Sequence, residues 1–247
     1  MSDGDVLAVD VGATSIKSRI FDSAGEARDS RSKRPTPRPC TPARLVELLA
    51  TKCLEAGVER LGVGFPGEVD RGIVLDAANL SRRAGPGSPV EPSLFREWAN
   101  FDLVGELQRA TRCEVLVEND AVMAARGCLV GLGVEMVLTL GTGCGFALAR
   151  NGDLIAVRDL GGEELIEGSS FDEVLGEVAR SRDEARWQIH VQHAIDSLCA
   201  EFAVDVVHLA GGNARRLSPH QFVGGAEHVV IERDDPALLG AWRSFHS

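Results

Sequence analysis

Apolar and polar positions along the chain alternate in two periods, and the switches between them mark out the elements. Asp5–Val11 (DVLAVDV) is an apolar run broken by Asp10, which predicts a buried strand ending at a glycine turn. Ile16–Asp22 alternates as a second strand, and Ser23–Glu26 closes a hairpin. Arg28–Thr41 is polar and rich in arginine and proline, which allows an edge strand or a loop. Pro42–Gly57 spaces Leu45, Leu48, Leu49, Cys53 and Leu54 as one helical stripe, with Gly57 as the stop. Arg60–Gly64 predicts a strand before the turn Phe65-Pro66-Gly67, and Ser81–Pro92 a loop. Asp102–Thr111 predicts a helix, Glu114–Val117 a strand and Ala121–Cys128 a helix.

The pattern then repeats. Met136–Leu140 predicts a strand running into Gly141-Thr142-Gly143-Cys144-Gly145, Phe146–Arg150 the next strand, and Asn151-Gly152-Asp153 a hairpin turn. Ser169–Arg180 and Glu184–Phe202 read as helices, the second with Trp187, Val191, Ile195 and Leu198 as a core-facing stripe. Val204–Leu209 is a strand before Gly211-Gly212-Asn213 and a further helix; Val229–Glu232 is a last strand and Pro236–Phe245 a last helix. Asp10–Asp22 and Leu140–Leu154 thus open alike, as strand, glycine turn and strand. An approximate duplication with a cleft between halves follows, and the fold class is α/β with mixed sheets.

Composition narrows the chemistry. The 247 residues carry a net charge of −11, which argues against a general nucleic-acid or anionic-membrane binder. It leaves room for a local phosphate site built from backbone N–H groups. No apolar run approaches a membrane span, and MSDGDVLAVD carries acidic residues where a signal peptide is basic, so a cytoplasmic protein is expected. The six cysteines form no close pair, which predicts reduced, buried thiols rather than a zinc site or disulfide framework.

Three glycine turns carry the candidate chemistry. Asp10–Lys17 (DVGATSIK) offers backbone N–H groups and hydroxyls for a phosphate tail, and Asp10 a carboxylate for a divalent cation, directly or through water. Gly141–Gly145 lets backbone approach a ligand, with the Thr142 hydroxyl alongside; Gly211-Gly212-Asn213 is the third. None has P-loop or dinucleotide spacing. Asp120, where a strand meets a helix, reads as a helix cap or as a general base that accepts a hydroxyl proton during phosphoryl transfer. His190 and His193 lack a third ligand nearby, and the Trp187 stripe reads as core. Arg82-Arg83 bind an anion or are solvated, and the basic run Arg28–Arg38 reads as a solvated edge.

In order, DxGxT at Asp10–Thr14, GxPG at Gly64–Gly67, ENDA at Glu118–Ala121, GTGxG at Gly141–Gly145 and GGN at Gly211–Asn213 resemble the ROK family of sugar kinases, within the actin, heat-shock chaperone and hexokinase ATPase superfamily. VGFPGEVDRGIV and LTLGTGCGFAL look most like its short polyphosphate/ATP glucokinase branch. The resemblance implies two ribonuclease H-like (actin-like ATPase) domains, with mixed sheets flanked by helices and a cleft between them. We expect residues 1–118 as a small domain, onto which the 235–247 helix packs back, and 119–234 as the ATPase-like domain. It implies donor-binding roles for Asp10, Gly12, Thr14, Lys17, Gly141, Thr142, Gly143, Gly211, Gly212 and Asn213. It implies Asp120 as catalytic base, with Gly64, Pro66, Gly67, Asn79, Asn119 and Asp159 on the sugar side. Mg²⁺ would bridge Asp10 and the phosphates of ATP or polyphosphate. The acceptor implied is a hexose, glucose first; homodimers are common in the family, and neither nucleic acid nor membrane is an expected partner.

The chain departs from the family in one place. Where the family usually has Glu-x-Gly-His, this chain has Asp159-Leu160-Gly161-Gly162, and EELIEG at Glu163–Gly168 replaces the zinc-binding cysteines. No zinc is expected. Loss of the histidine points to a different acceptor as the first alternative, and a catalytically silent sugar or nucleotide sensor is the second. Glu163 or Glu164 could supply replacement contacts.

Overall fold

Val6–Val11 (β1) is buried along its whole length, because it is the central strand of a sheet covered on both faces. The computed structural model describes residues 4–85, 88–141, 143–223 and 228–246. Two units are distinguished: Met1–Gly127 with Ala237–Ser247, and Cys128–Pro236.

In the first unit, β1 pairs antiparallel with β2 (Ser15–Phe21), which pairs with β3 (Ser32–Pro35). α1 (Pro42–Ala56) starts on a Thr41 cap and stops at Gly57, whose φ of +63° no β-carbon opposes. It leads into β4 (Arg60–Phe65), parallel to β1. The short strands β5 (Val69–Asp70) and β6 (Ile73–Val74), the helix α2 (Pro92–Trp98) and β7 (Phe101–Asp102) follow, and β5–β6–β7 form a small sheet of their own. α3 (Leu103–Thr111), capped by Asp102, precedes β8 (Glu114–Asn119), parallel to β4. α4 (Asp120–Cys128) follows directly. The sheet order is β3-β2-β1-β4-β8. α1 and α3 bury Leu45, Leu49, Cys53 and Leu107 against Leu7, Val9, Leu61 and Val63, each worth about 1.5–3 kcal/mol for a fully buried aliphatic side chain. Leu54 turns outward, off the buried stripe.

The second unit repeats this frame. β9 (Val134–Leu140), β10 (Cys144–Arg150) and β11 (Asp153–Asp159) form an antiparallel meander. Its β10–β11 turn has Asn151 and Gly152 both at positive φ, as the primed two-residue turn requires. β12 (Glu164–Ile166) and β13 (Ser169–Ser170) make a hairpin before α5 (Phe171–Leu175), α6 (Glu177–Arg182) and α7 (Glu184–Phe202). β14 (Val206–Ala210) and β15 (His228–Ile231) add parallel strands, giving the order β11-β10-β9-β14-β15. Trp187, Val191, Ile195 and Leu198 are buried against Leu138, Phe146 and Leu209. The final helix, α8 (Pro236–Arg243), belongs to the first unit and packs with α4 residues Met123 and Ala124 on the Ala8 face of β1.

Three expectations change. The single helix expected over Ser169–Arg180 is a strand and two short helices. A Ser170–Glu173 capping box starts α5, and Gly176 in extended backbone breaks it from α6. The segment after Asn213 is a single 3₁₀ turn, Ala214–Arg216, rather than a full helix. Within the basic run, Lys33 and Arg34 are exposed, whereas Arg38 is half-buried and hydrogen-bonded to two loops.

No charge pattern in the sequence announces the polar cluster inside the second sheet. His208, 1% exposed, lies between Glu135 (Nε2 to Oε2, 3.1 Å) and Glu232 (Nδ1 to Oε1, 2.8 Å). Glu135 also accepts from the backbone N–H groups of Val130, Gly131 and Leu132. All six cysteines are buried, with the Cys53 and Cys113 Sγ atoms 3.0 Å apart. No helix among the described residues is long and apolar enough to cross a membrane.

Candidate active site

The pairing register of the first sheet places Asp10 opposite Lys17 on β2 and Gly64 on β4. Lys17 Nζ donates to Asp10 Oδ2 at 2.8 Å, and Asp10 is only 9% exposed. The turn beyond is braced through its carbonyls. Thr36 Oγ1 donates to Gly12 O at 2.6 Å, Thr36 N–H to Thr14 O at 3.1 Å, and the Arg38 guanidinium to Ala13 O. With these oxygens neutralised, the turn repels an anion less. Arg38 also donates to Arg82 O, tying the turn to the 82–88 loop. Thr14 is exposed.

β4 and β8 carry the acceptor-side residues to the same sheet end, where Gly64 pairs with Glu118 and Phe65 with Asn119. Asp120 is the first residue of α4. Asn119 Oδ1 accepts from Ala121 N–H (2.9 Å) and Val122 N–H (3.3 Å), so the helix cap is Asn119. Asn119 Nδ2 donates to Gly67 O at 2.9 Å. Gly67 has no alternative: a β-carbon there would lie 2.0 Å from Asp76 O. Pro66 is buried beside it, and Asn79 stands exposed on the turn after Asp76. Asp120 Oδ1 accepts from Ala121 N–H at 2.9 Å. Burial, and then the negative charge of Asp10, raise the Asp120 carboxyl to about 6; its backbone hydrogen bonds and Lys17 oppose the rise. Glu118 and Arg126 form a two-pronged ion pair at 2.9 and 3.1 Å.

Of the remaining arginines, Arg82 donates to Ser88 O and Arg83 pairs with Glu91, whose carboxyl falls to about 2 because Arg83 and Ser93 donate to it. Both are therefore committed within the first unit.

In the second unit, Asn213 joins two glycine turns. Its N–H donates to Leu140 O at 3.1 Å and its Nδ2 to Gly141 O at 2.9 Å, while its Oδ1 accepts from Arg180 Nε at 3.2 Å. Gly211 sits at φ +92°, where a β-carbon would meet Leu140 O at 2.3 Å. Gly212 is exposed and open. Sequence reasoning missed Asp172. Its Oδ1 accepts from Cys144 N–H at 2.8 Å, and its carboxylate leaves no room for side chains at Gly143 or Gly161. The available signal was its place in the first turn after a capping serine. Arg180, braced by Glu177 at 2.7 Å, was missed for want of any pattern. Thr142 and the side chain of Asp159 lie outside the described residues; the backbone of Asp159 ends β11. Gly162 is exposed, with open space where a side chain would start.

The structure thus brings Asp10, Lys17, Gly64, Gly67, Asn119 and Asp120 to one end of the first sheet. It brings Gly141, Gly143, Gly211 and Asn213 to one end of the second. Among the described residues no three or more His, Cys, Asp or Glu side chains gather to enclose a metal. Asp10 is a hard oxygen donor held by one cation, which fits Mg²⁺, an ion that keeps most of its shell as phosphate and water oxygens.

The family model of the ROK family matches residues 6–161. The chain is 31% identical over 184 residues to the glucokinase of Halalkalibacterium halodurans, an alignment that covers 66% of this chain and 49% of that protein. It is 33% identical over 165 residues to the polyphosphate glucokinase of Mycobacterium leprae, covering 63% of this chain and 46% of that one. The chain thus spans about half the length of these two relatives. The crystal structure of the inorganic polyphosphate/ATP-glucomannokinase of Arthrobacter sp. strain KM superposes with a TM-score of 0.76 at 26% identity, covering 99% of both chains.

Proposed function

The chain belongs to the ROK family, and on that premise we propose that it is a sugar kinase, moving a phosphoryl group from ATP or polyphosphate to a hexose hydroxyl. The observation that carries this reading is Asp120. It is a half-buried carboxylate at a helix start, beside the Asp10–Lys17 pair and raised to about 6, close to the working range of a general base. Asp120 takes the proton from the attacking hydroxyl, and so raises the nucleophilicity of that oxygen only as the bond to phosphorus forms. Asn119 fixes the start of α4, which holds Asp120 in place, and Gly64, Pro66, Gly67, Asn79 and Asp159 line the acceptor side. Lys17 orients Asp10 through their 2.8 Å ion pair. Gly12, Thr14, Gly141, Thr142, Gly143, Gly211, Gly212 and Asn213 hold the donor, through backbone N–H groups and hydroxyls. Mg²⁺, carried with the donor phosphates and held by Asp10, would supply charge neutralisation.

Glucose is the first acceptor to test, since both curated relatives bear that name. Gly162 favours a second: without the family histidine one sugar hydroxyl loses a partner, at a cost of about 1–3 kcal/mol if it stays buried. A panel of hexoses and amino sugars, each with ATP and with polyphosphate and read by sugar phosphate formed, tests the proposal. Transfer to at least one sugar, lost in Asp120→Asn, is expected. Sugar or nucleotide binding without any transfer overturns it in favour of a sensor.

A further inference from the structure

A cavity of about 470 Å³, within the size range of small-molecule sites, opens in the second unit among the β12–β13 hairpin, α5, α6 and α7. Ile166, Val174 and Trp187 supply apolar wall, and Val178 adds to it although 83% exposed. α6 separates this cavity from the glycine turns. Glu177 and Arg180 lie on its Asn213 side, whereas Val178, Ala179 and Arg182 lie about half a helical turn away and face the cavity.

The charges around it are unequal in their commitments. Of the two acidic lining residues, Glu173 accepts from Ser170 N–H at 2.8 Å and Asp183 from Arg186 N–H at 3.0 Å, so both serve as helix caps. Arg182 and Arg186 also line the cavity, and neither has an ion-pair partner among the described residues. His190 stands one turn beyond Arg186 on α7. Glu173 and Asp183 are thus turned to backbone amides, whereas the Arg182 and Arg186 guanidinium groups are left to meet an anion.

We propose that this cavity binds a small organic anion, with an apolar or aromatic body against Trp187, Val174 and Ile166 and an acidic head at Arg182 and Arg186. Apolar walls with a few placed polar groups are what such ligands need, and paired guanidinium groups suit a carboxylate or a phosphate ester. Occupancy also has a route to the candidate donor turns, since α6 carries Arg180, Arg180 holds Asn213, and Asn213 holds Gly141.

The test uses the purified full chain and three probes of one shape: 2-naphthoate, 2-naphthyl phosphate and the neutral 2-naphthylmethanol. Titration calorimetry reads affinity. At least one of the two anions is expected to bind saturably below about 1 mM, and the alcohol about tenfold or more weaker. Which anion binds tighter distinguishes a carboxylate from a phosphate ester as the natural head. Arg182→Gln with Arg186→Gln, both at exposed positions, should lose about tenfold or more in anion affinity while the melting temperature stays unchanged. Val174→Trp, which fills the cavity, should abolish binding. No saturable anion binding, equal binding of the alcohol, or full binding by the double arginine variant overturns the proposal. None of these readouts depends on kinase turnover, so failure here and failure of the kinase reading are separate results.

Discussion

The two sheets share one strand order, yet the corresponding position in each carries different chemistry. In the first, the penultimate residue of the central strand is Asp10, facing Lys17 across the hairpin and Gly64 on the parallel side. In the second, that position is Thr139, facing Gly145 and Ala210. The first sheet therefore ends in the Asp10–Lys17 ion pair and the Asp120 carboxylate, and the second in glycine backbone hydrogen-bonded to Asn213 and Asp172. The function proposed above divides its roles between these two strand ends. Carboxylates suit proton transfer, whereas backbone amides suit holding an anion without competing for protons.

Asp120→Asn breaks the comparison most severely. With the amide in place the hydrogen bond to Ala121 survives but no proton can be accepted, so kcat should fall about 10²–10⁴-fold with little change in KM. The same variant should be more stable at pH 7. A carboxyl whose folded value, about 6, lies above its unfolded one holds its proton more tightly when folded, so its ionisation at neutral pH opposes folding. A thermal melt rising by a few degrees, roughly 1 kcal/mol, would agree; a fall would show that the charge stabilises the site.

His208→Leu tests the hydrogen-bonded polar cluster buried inside the second sheet. Glu135 would be left buried without its imidazole, and a loss of about 3–5 kcal/mol in urea unfolding is expected. A loss below ~1 kcal/mol would mean the cluster is neutral and replaceable. Asn213→Ala probes the backbone half of the site. Freeing Gly141 O should cost about 1–2 kcal/mol and raise the donor KM roughly tenfold, while the KM for sugar stays constant. If the sugar KM moves instead, the division of roles proposed for the two sheets is wrong.

The smallest effect sharpens rather than breaks the comparison. The rate should fall about tenfold per pH unit below about 6 and level off above it, as the Asp120 base form fills. Lys17→Met should move this limb upward, because Lys17 is among the groups that hold the value down.

Much of the frame was legible in the chain. The hairpin at Asn151-Gly152, the α1 stop at Gly57 and the Trp187 stripe all rest on local physics: positive φ, caps and helical period. The glycine turns were legible for the same reason, and so were Asp10 and Asp120 as carboxylates at strand ends. The small β5–β6–β7 sheet was not, since strands of two residues carry no period to detect. Nor was the break at Gly176, because a glycine within a helical pattern is compatible with either outcome.

Local pattern thus determined the main strands and helices of each half, the duplicated strand–turn–strand openings and the residue types available at each strand end. Tertiary structure alone decided what those residues do to one another. Asp10 lowers the acidity of Asp120 across 110 positions of chain; Arg38 leaves its basic run to brace the Ala13 turn; Asp172 and Asn213 reach back to the Gly141–Cys144 segment. Each of these is an electrostatic or hydrogen-bonded contact between distant segments. Such contacts depend on separation in space and on burial, neither of which is written in the spacing of residues along the chain.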